Sequence, residues 1–314
     1  MKLYFKICLG LWIALPACAP RSVVLTRSRL LMGHVPVNLS LRITPARREA
    51  ALAASEGAYR LAQALENRIS EYQEGSELSC LNRNAGRLPC RLSDDTRRLL
   101  EKSLELSEAT DHAFDIRFGS RSAAGRRGPL IFDAQGQGKL SHPDTKLGIG
   151  AIGKGWIVDR MIDYLAEQGF PDALIDAGGD LRAAGGPWQV AIQVPGGLPG
   201  ETGPVQTIQN LALATSGLYE QGPHIVDPRL GQAAQGRGSV SVEADNLTLA
   251  DALATAFFVL GEEKSRTYLG RFPGIVMIWS DPDGNSRRYS GTEIKGEMVS
   301  NPGGPIGQAR QIEK

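Results

Sequence analysis

Residues 147–155 read LGIGAIGKG, and the reading of that run decides the class of fold. By letter it satisfies two nucleotide-binding patterns. Gly148, Gly150 and Gly153 fit G-x-G-x-x-G, with Asp176 about twenty residues further on, and Gly148 with Gly153-Lys154 fits G-x-x-x-x-G-K. Context excludes both. A dinucleotide fingerprint follows a buried apolar strand, whereas residues 138–146 are GKLSHPDTK. A P-loop needs Ser or Thr after its lysine to hold a metal ion, and Gly155 stands there. What remains is the physics common to such loops. A glycine-rich turn exposes backbone N–H groups, the helix beginning near Lys154 adds a positive end, and Lys154 adds a full charge. This is a cradle for a diphosphate, although the same glycines also suit a tight loop that merely lets backbone segments pack closely.

Working outward, the helix over about 154–168 turns Ile157, Met161 and Leu165 inward and stops at Gly169. Residues 173–175, 188–194, 211–215, 239–244 and 275–279 read as strands. Residues 37–43 alternate, with Val37, Leu39, Leu41 and Ile43 on one face and Asn38, Ser40 and Arg42 on the other. Pro36 sits at the strand's start, where a missing donor is tolerated. Thr44-Pro45 reads as a helix cap and first-turn proline, followed by a stripe of Ala54, Ala58, Leu61, Leu65, Ile69 and Tyr72. Ser93 opens another helix that runs to about Ala109. Residues 119–138, with Arg121, Arg126 and Arg127 among Gly, Ser and Ala, read as a solvated loop. Strands outnumber helices and several follow one another directly. That predicts an α+β fold with antiparallel or mixed sheets rather than a doubly wound parallel one.

The 314 residues have room for one large domain or two intimately packed ones. A net charge of +1 and an aromatic share of 6% give no sign of a nucleic-acid surface. At the N-terminus, Lys2 and Lys6 precede an apolar run over 7–14 and then Leu15-Pro16-Ala17-Cys18, the pattern of a secretory signal too short to span a bilayer. Leu15 to Cys18 resembles a bacterial lipobox. Residues 1–17 would then be removed and Cys18 lipidated, anchoring the protein to a membrane; an ordinary cleaved signal with Cys18 incidental is the alternative. With Cys8 discarded and Cys18 modified, Cys80 and Cys90 remain, and outside the cytoplasm such a pair is expected to form a disulfide. Residues 301–314 read as a mobile polar tail.

The run 247–261, LTLADALATAFFVLG, is an apolar helix that keeps one acid and one hydroxyl, Asp251 and Thr255, four residues apart on one face. Two oxygen ligands at that spacing suit a hard divalent ion such as Mg²⁺. The pair also fits an acid favoured by the helix dipole, with Thr255 bonded back to the carbonyl of Asp251 or Ala252.

These segments together resemble one family. Residues 150–159, GAIGKGWIVD, are similar to the G-G-I-A-K-G-Y-A-V-D run of the ApbE family, the FAD:protein FMN transferases, and residues 173–180, ALIDAGGD, to its A-L-V-N-A-G-G-D. Thr215-Ser216-Gly217 resembles its T-S-G, and residues 224–229, HIVDPR, with Gly231 resemble H-I-I-D-P-x-x-G. Residues 250–255, ADALAT, match A-D-A-L-A-T. Met32-Gly33, residues 76–79 with Asn82, and Ala113-Phe114-Asp115 follow the family's order of motifs, so the resemblance spans about residues 31–290.

The resemblance implies a transferase domain over residues 18–300, built as two intimately packed α+β halves with the flavin between them. It implies Mg²⁺ held by the Ala151 carbonyl, Asp251 and Thr255, and FAD, as substrate, lined by Met32, Tyr72, Ala113, Phe114, Asp115, Lys154, His224 and Ile225. FMN would pass from FAD to a threonine or serine hydroxyl of an acceptor protein, a subunit of a membrane redox complex, with AMP as leaving group. Asp251 would chiefly hold the metal and Lys154 stabilise charge. His224 would carry the proton, or only contact flavin, or serve as a structural histidine beside the Asp227-Pro228 turn. The implied location is the periplasmic side of the bacterial envelope, on the inner membrane. Two alternatives use the same site: an FAD pyrophosphatase with water as acceptor, and a non-catalytic flavin-binding lipoprotein. The chain departs from the family at Gly148, where an acid that helps to hold FAD usually stands, at His34 in place of threonine, and in the segment after Asp115.

Overall fold

The alternation at 37–43 builds the frame. In the computed structural model, which describes residues 22–193, 202–217, 225–234, 238–282, 285–291, 293–299 and 309–311, Val37, Leu39 and Leu41 are fully buried and Ile43 nearly so. Ser40 on the opposite face is buried as well, its hydroxyl 2.8 Å from that of Thr26. The strand therefore lies inside a sheet covered on both faces.

In chain order the first elements are β1 (Val23–Leu31), β2 (Val35–Ile43), α1 (Arg48–Ile69), α2 (Glu77–Arg83), β3 (Cys90–Arg91) and α3 (Asp94–Ala109). Then come α4 (Ala123–Arg126), β4 (Leu130–Phe132), β5 (Gln137–Leu140), α5 (Gly153–Glu167), β6 (Ala173–Ala177), β7 (Asp180–Ala184), β8 (Trp188–Gln193) and β9 (Thr202–Ile208). The rest are β10 (Ala212–Gly217), β11 (Val226–Asp227), β12 (Gln232–Ala233), β13 (Ser239–Ala244), α6 (Leu247–Leu260), α7 (Glu262–Tyr268), β14 (Val276–Ser280), β15 (Ser286–Ser290), β16 (Glu293–Val299) and β17 (Ala309–Gln311).

Nine strands form the main sheet in the order β1-β2-β6-β7-β10-β13-β14-β15-β16, and every neighbouring pair is antiparallel. The strand that follows α5 pairs antiparallel on both sides, so the glycine loop does not open a parallel βαβ unit. This is the α+β class with antiparallel sheets that the strand order predicts. A two-residue turn joins β6 to β7 through Gly178 and Gly179, at φ +64° and +97°, the left-handed conformations that a tight hairpin of this hand requires.

Alternation along β6 divides the core. Ala173, Ile175 and Ala177 face a layer in which α1, α5 and α6 lie side by side, while Leu174 faces the other way. There it joins Leu181, Trp188, Val190, Ile208 and Leu213 under the three-stranded sheet β17-β8-β9.

Three expectations need correction. Residues 119–138 are not a solvated loop: α4, β4 and the first half of β5 lie there, Gly125 and Leu130 are buried, and β3-β5-β4 form a small sheet. The segment's few apolar residues hid this, because strands of two to four residues carry too little periodicity to read. Tyr72 lies beyond the end of α1 and is 87% exposed, so it leaves the buried stripe, in which Leu61 is only half-buried. Within the tail, Ala309–Gln311 pairs antiparallel with β8; the remainder of 301–314 falls outside the described residues, as do the signal segment and Cys18.

Candidate active site

Two helix N-termini meet at one end of the main sheet, and each is held by a carboxylate from the other helix. Asp251 on α6 accepts the Gly155 N–H at 3.1 Å, in the first turn of α5. Asp159 on α5 accepts the N–H groups of Leu247 and Thr248 at 2.9 and 2.8 Å and the Thr248 hydroxyl at 2.5 Å, at the start of α6. Unpaired N–H groups at a helix start make these acceptors favourable. Gly155 permits the approach, since a Cβ there would stand 2.4 Å from the Leu247 carbonyl oxygen. Asn246 caps α6 in addition, its side chain accepting the Leu249 N–H at 2.9 Å.

Asp251 is almost wholly buried, and burial pushes its carboxyl up to about 7; Lys154 opposes that shift and Asp180 adds to it. Thr255, one turn on, brings its hydroxyl within 3.2 Å of the Ser216 hydroxyl rather than folding back on its own helix. Lys154 forms an ion pair with Asp180, whose other oxygen accepts the Thr215 N–H at 3.0 Å. The β6–β7 turn thereby holds both the lysine and the end of β10.

These groups border a cleft of about 660 Å³, whose lining includes Gly150, Ala151, Lys154, Asp251 and Thr255. Tyr72, Ala113, Phe114, Asp115 and Ile225 line it too, so the structure brings most of the sequence-derived set to one place. Met32 is not in the lining. Its backbone N–H bonds Glu66 at 2.9 Å, and the next residues, Gly33 and His34, reach the cleft instead. Asp115 lines the cleft, but its carboxylate is engaged by Arg117 at 2.7 and 2.9 Å and by the Ser107 hydroxyl at 2.9 Å, which makes it a brace for the loop. His224 lies outside the described residues.

The oxygen donors here, one carboxylate, one hydroxyl and the carbonyl of Ala151, suit a hard divalent cation, and a buried carboxylate with a raised pKa favours taking one up. Among the described residues no three His, Cys, Asp or Glu side chains cluster as a metal site, so a cation here would depend on this mixed set and on substrate oxygens.

Sequence reasoning gave no role to Asp159, Asp180, Ser216 or Asn82. Asn82 clasps Leu147 at the mouth of the glycine loop, accepting its N–H at 2.7 Å and donating to its carbonyl at 2.9 Å. It sits on α2, which the disulfide between Cys80 and Cys90 ties to β3 with a Cα–Cα distance of 6.1 Å. The available signal was that all four stand within or beside the short motifs quoted above.

The sequence model of the ApbE family matches residues 34–279. An FAD:protein FMN transferase of Treponema pallidum is 30% identical over 289 residues, covering 76% of this chain and 80% of its own length. One from Vibrio cholerae is 27% identical, covering 75% and 82%. Among solved structures, the flavin transferase ApbE from Vibrio cholerae superposes with a TM-score of 0.72 at 25% identity, over 86% of this chain and 98% of that one. The ApbE protein of Thermotoga maritima shares the fold, with a TM-score of 0.70 at 24% identity over 86% and 97%. A match through so much of the chain, with the cleft built from the matched segments, establishes that this protein belongs to the ApbE family.

Proposed function

We propose that the chain is an FAD:protein FMN transferase that moves the FMN part of FAD onto a threonine or serine hydroxyl of an acceptor protein and releases AMP. The observation that carries this reading is the meeting of Ala151, Lys154, Asp251 and Thr255 in one cleft at the N-terminus of α5, in a chain whose relatives bear that name.

In the reaction the acceptor oxygen forms a bond to the FMN phosphorus. The bond from that phosphorus to the bridging oxygen breaks, and AMP leaves with the electron pair. Negative charge builds on the bridging oxygen and must be met by preorganised groups. Lys154, held by Asp180, brings a cation to the cleft, and the first turn of α5 brings the positive end of a helix. Asp251, Thr255 and the Ala151 carbonyl would hold Mg²⁺, which when bound supplies charge neutralisation at the diphosphate. Ala113 and Phe114 give the cleft an apolar wall suited to a ring system. His224 is the proposed carrier of the hydroxyl proton, on the strength of its residue type.

The same reading anchors the protein through Cys18 on the periplasmic face of the inner membrane, where the acceptor would be a subunit of a redox complex. Its support is the N-terminal sequence: Lys2 and Lys6, the apolar run and Leu15-Pro16-Ala17-Cys18. No described helix is long and apolar enough to cross a membrane.

The test is incubation of the protein with FAD, Mg²⁺ and a threonine-bearing acceptor domain, followed by in-gel flavin fluorescence and measurement of AMP. Fluorescent acceptor with equivalent AMP supports transfer. AMP without labelled acceptor would make the protein a pyrophosphatase, and bound but intact FAD a carrier.

A further inference from the structure

The glycine at 148 breaks the pattern expected ahead of the loop, and the space above it is filled from another element. A Cβ built on Gly148 would lie 2.9 Å from the ring of Phe118 and 3.2 Å from Oε1 of Glu71. Glu71 follows the end of α1 and lines the large cleft as well as a smaller one beside it. The backbone N–H groups of Ile149 and of Glu71 itself, with the charge of Lys146, favour its ionised form and oppose the effect of burial. Among the described residues no basic side chain comes within ion-pair distance of it. The carboxylate thus lies against the glycine loop, half-buried and in the cleft lining, with bonding capacity left over, since an ionised carboxylate accepts about four hydrogen bonds. Burial holds its carboxyl above the usual range, a cost that a donor from a ligand would relieve.

A carboxylate repels phosphate, so the diphosphate belongs by Lys154 and the start of α5 rather than against Glu71. Donors are what Glu71 can recognise. A flavin nucleotide carries them in its sugar hydroxyls, its ring imide and its adenine amine. Resting on the flavin-transfer reading above, we propose that the Glu71 carboxylate, reaching into the space that a side chain at 148 would occupy, is the cleft's acceptor for a hydroxyl or N–H donor of the flavin nucleotide. Its chemistry complements the phosphate cradle: Lys154 and the start of α5 meet anion, and Glu71 meets a donor.

The experiment titrates FAD, by quenching of flavin fluorescence, into the wild-type protein and into E71Q, E71A and the double variant E71A/G148D, with a thermal melt of each. E71A is expected to weaken binding about 10- to 100-fold, the range for a hydrogen bond to a charged group. E71Q keeps the volume and one acceptor oxygen but loses the charge, and is expected to lose about 3- to 10-fold. E71A/G148D restores a carboxylate to the same space, with only the far edge of the Phe118 ring to shift, and should recover most of the affinity. Binding by E71A within about twofold of wild type would overturn the proposal, at the precision of such titrations. So would a loss left unrescued in a normally melting double variant, because that would mark Glu71 as an anchor of the loop alone. If E71A does not fold, unchanged binding by E71Q overturns it. Wild-type protein that binds no FAD at all would sink the flavin reading itself, whereas the other failures leave that reading intact.

Discussion

Replacing Asp159 tests the interlock between the two helices. The carboxylate accepts three hydrogen bonds from the first turn of α6 and lies 3.7 Å from Arg182 Nε, with its side chain only 14% exposed. Burial raises its carboxyl pKa, and the bonds from Thr248 and Leu247 hold it down, so part of their benefit offsets desolvation. Charge-assisted bonds contribute about 1.5 kcal/mol or more each, giving about 4–5 kcal/mol before that offset. Asp159→Ala also strands two buried N–H groups and leaves Arg182 without its partner. The net loss should be about 3 kcal/mol, which lowers Tm by about 5 °C in a chain of this size. Asp159→Asn keeps one acceptor but turns an NH₂ toward the remaining donors, and should fall between the two. Thermal and urea unfolding of the flavin-free protein read both values. FAD turnover should drop as well, because Asp251 stands one turn beyond the bonds that fix the start of α6. A loss under about 1 kcal/mol for the alanine variant would refute the reasoning that this carboxylate holds the helix.

Asp251→Ala should leave the melting temperature within about 3 °C of wild type, because a buried acid disappears together with its bond to Gly155, yet lower AMP release at least about a hundredfold; unchanged turnover would remove the metal-holding role. Reduction of the Cys80–Cys90 disulfide frees a loop of 10 residues, an effect of about 3 kcal/mol on chain-entropy grounds. Tm should fall by about 5 °C and the KM for FAD rise, since Asn82 inside that loop clasps Leu147; a dithiothreitol titration of Tm and KM together checks it. Burial pushes the Asp227 carboxyl up, but the side chain and N–H of Arg229 outweigh it, so the group titrates below its ordinary 3.8. A depressed carboxyl contributes stability above the unfolded pKa and loses it as pH falls through the folded one. The Tm difference between wild type and Asp227→Asn should therefore hold from pH 7 down to about 4 and close below 3.8; a difference independent of pH would contradict it.

Elements with long period were legible. The stripe along α5 and its stop at Gly169 read directly, as did the alternation of β2, the cap at Ser93, and the successive strands that argued against a parallel sheet. The small sheet β3-β5-β4 was not, because two- to four-residue strands are made by their neighbours and not by their own pattern. The site divides in the same way. Asp251 and Thr255 announce themselves as polar residues on an apolar helix face, whereas Met32, assigned to the flavin by motif, turns its backbone to Glu66.

What the chain's order of residues determined by itself was the class of fold, the helix face that carries acid and hydroxyl, and the glycine loop beside a lysine. These depend on spacing within a few turns, which periodicity and capping control locally. Tertiary structure alone decided which groups meet. Asp251 reaches Gly155 across 96 positions, Asp159 reaches Leu247 across 88, and the Glu71 carboxylate fills the room left at Gly148. Such encounters follow from the way helices pack over an antiparallel sheet and from the close approach that Gly155 allows, and no local pattern encodes them.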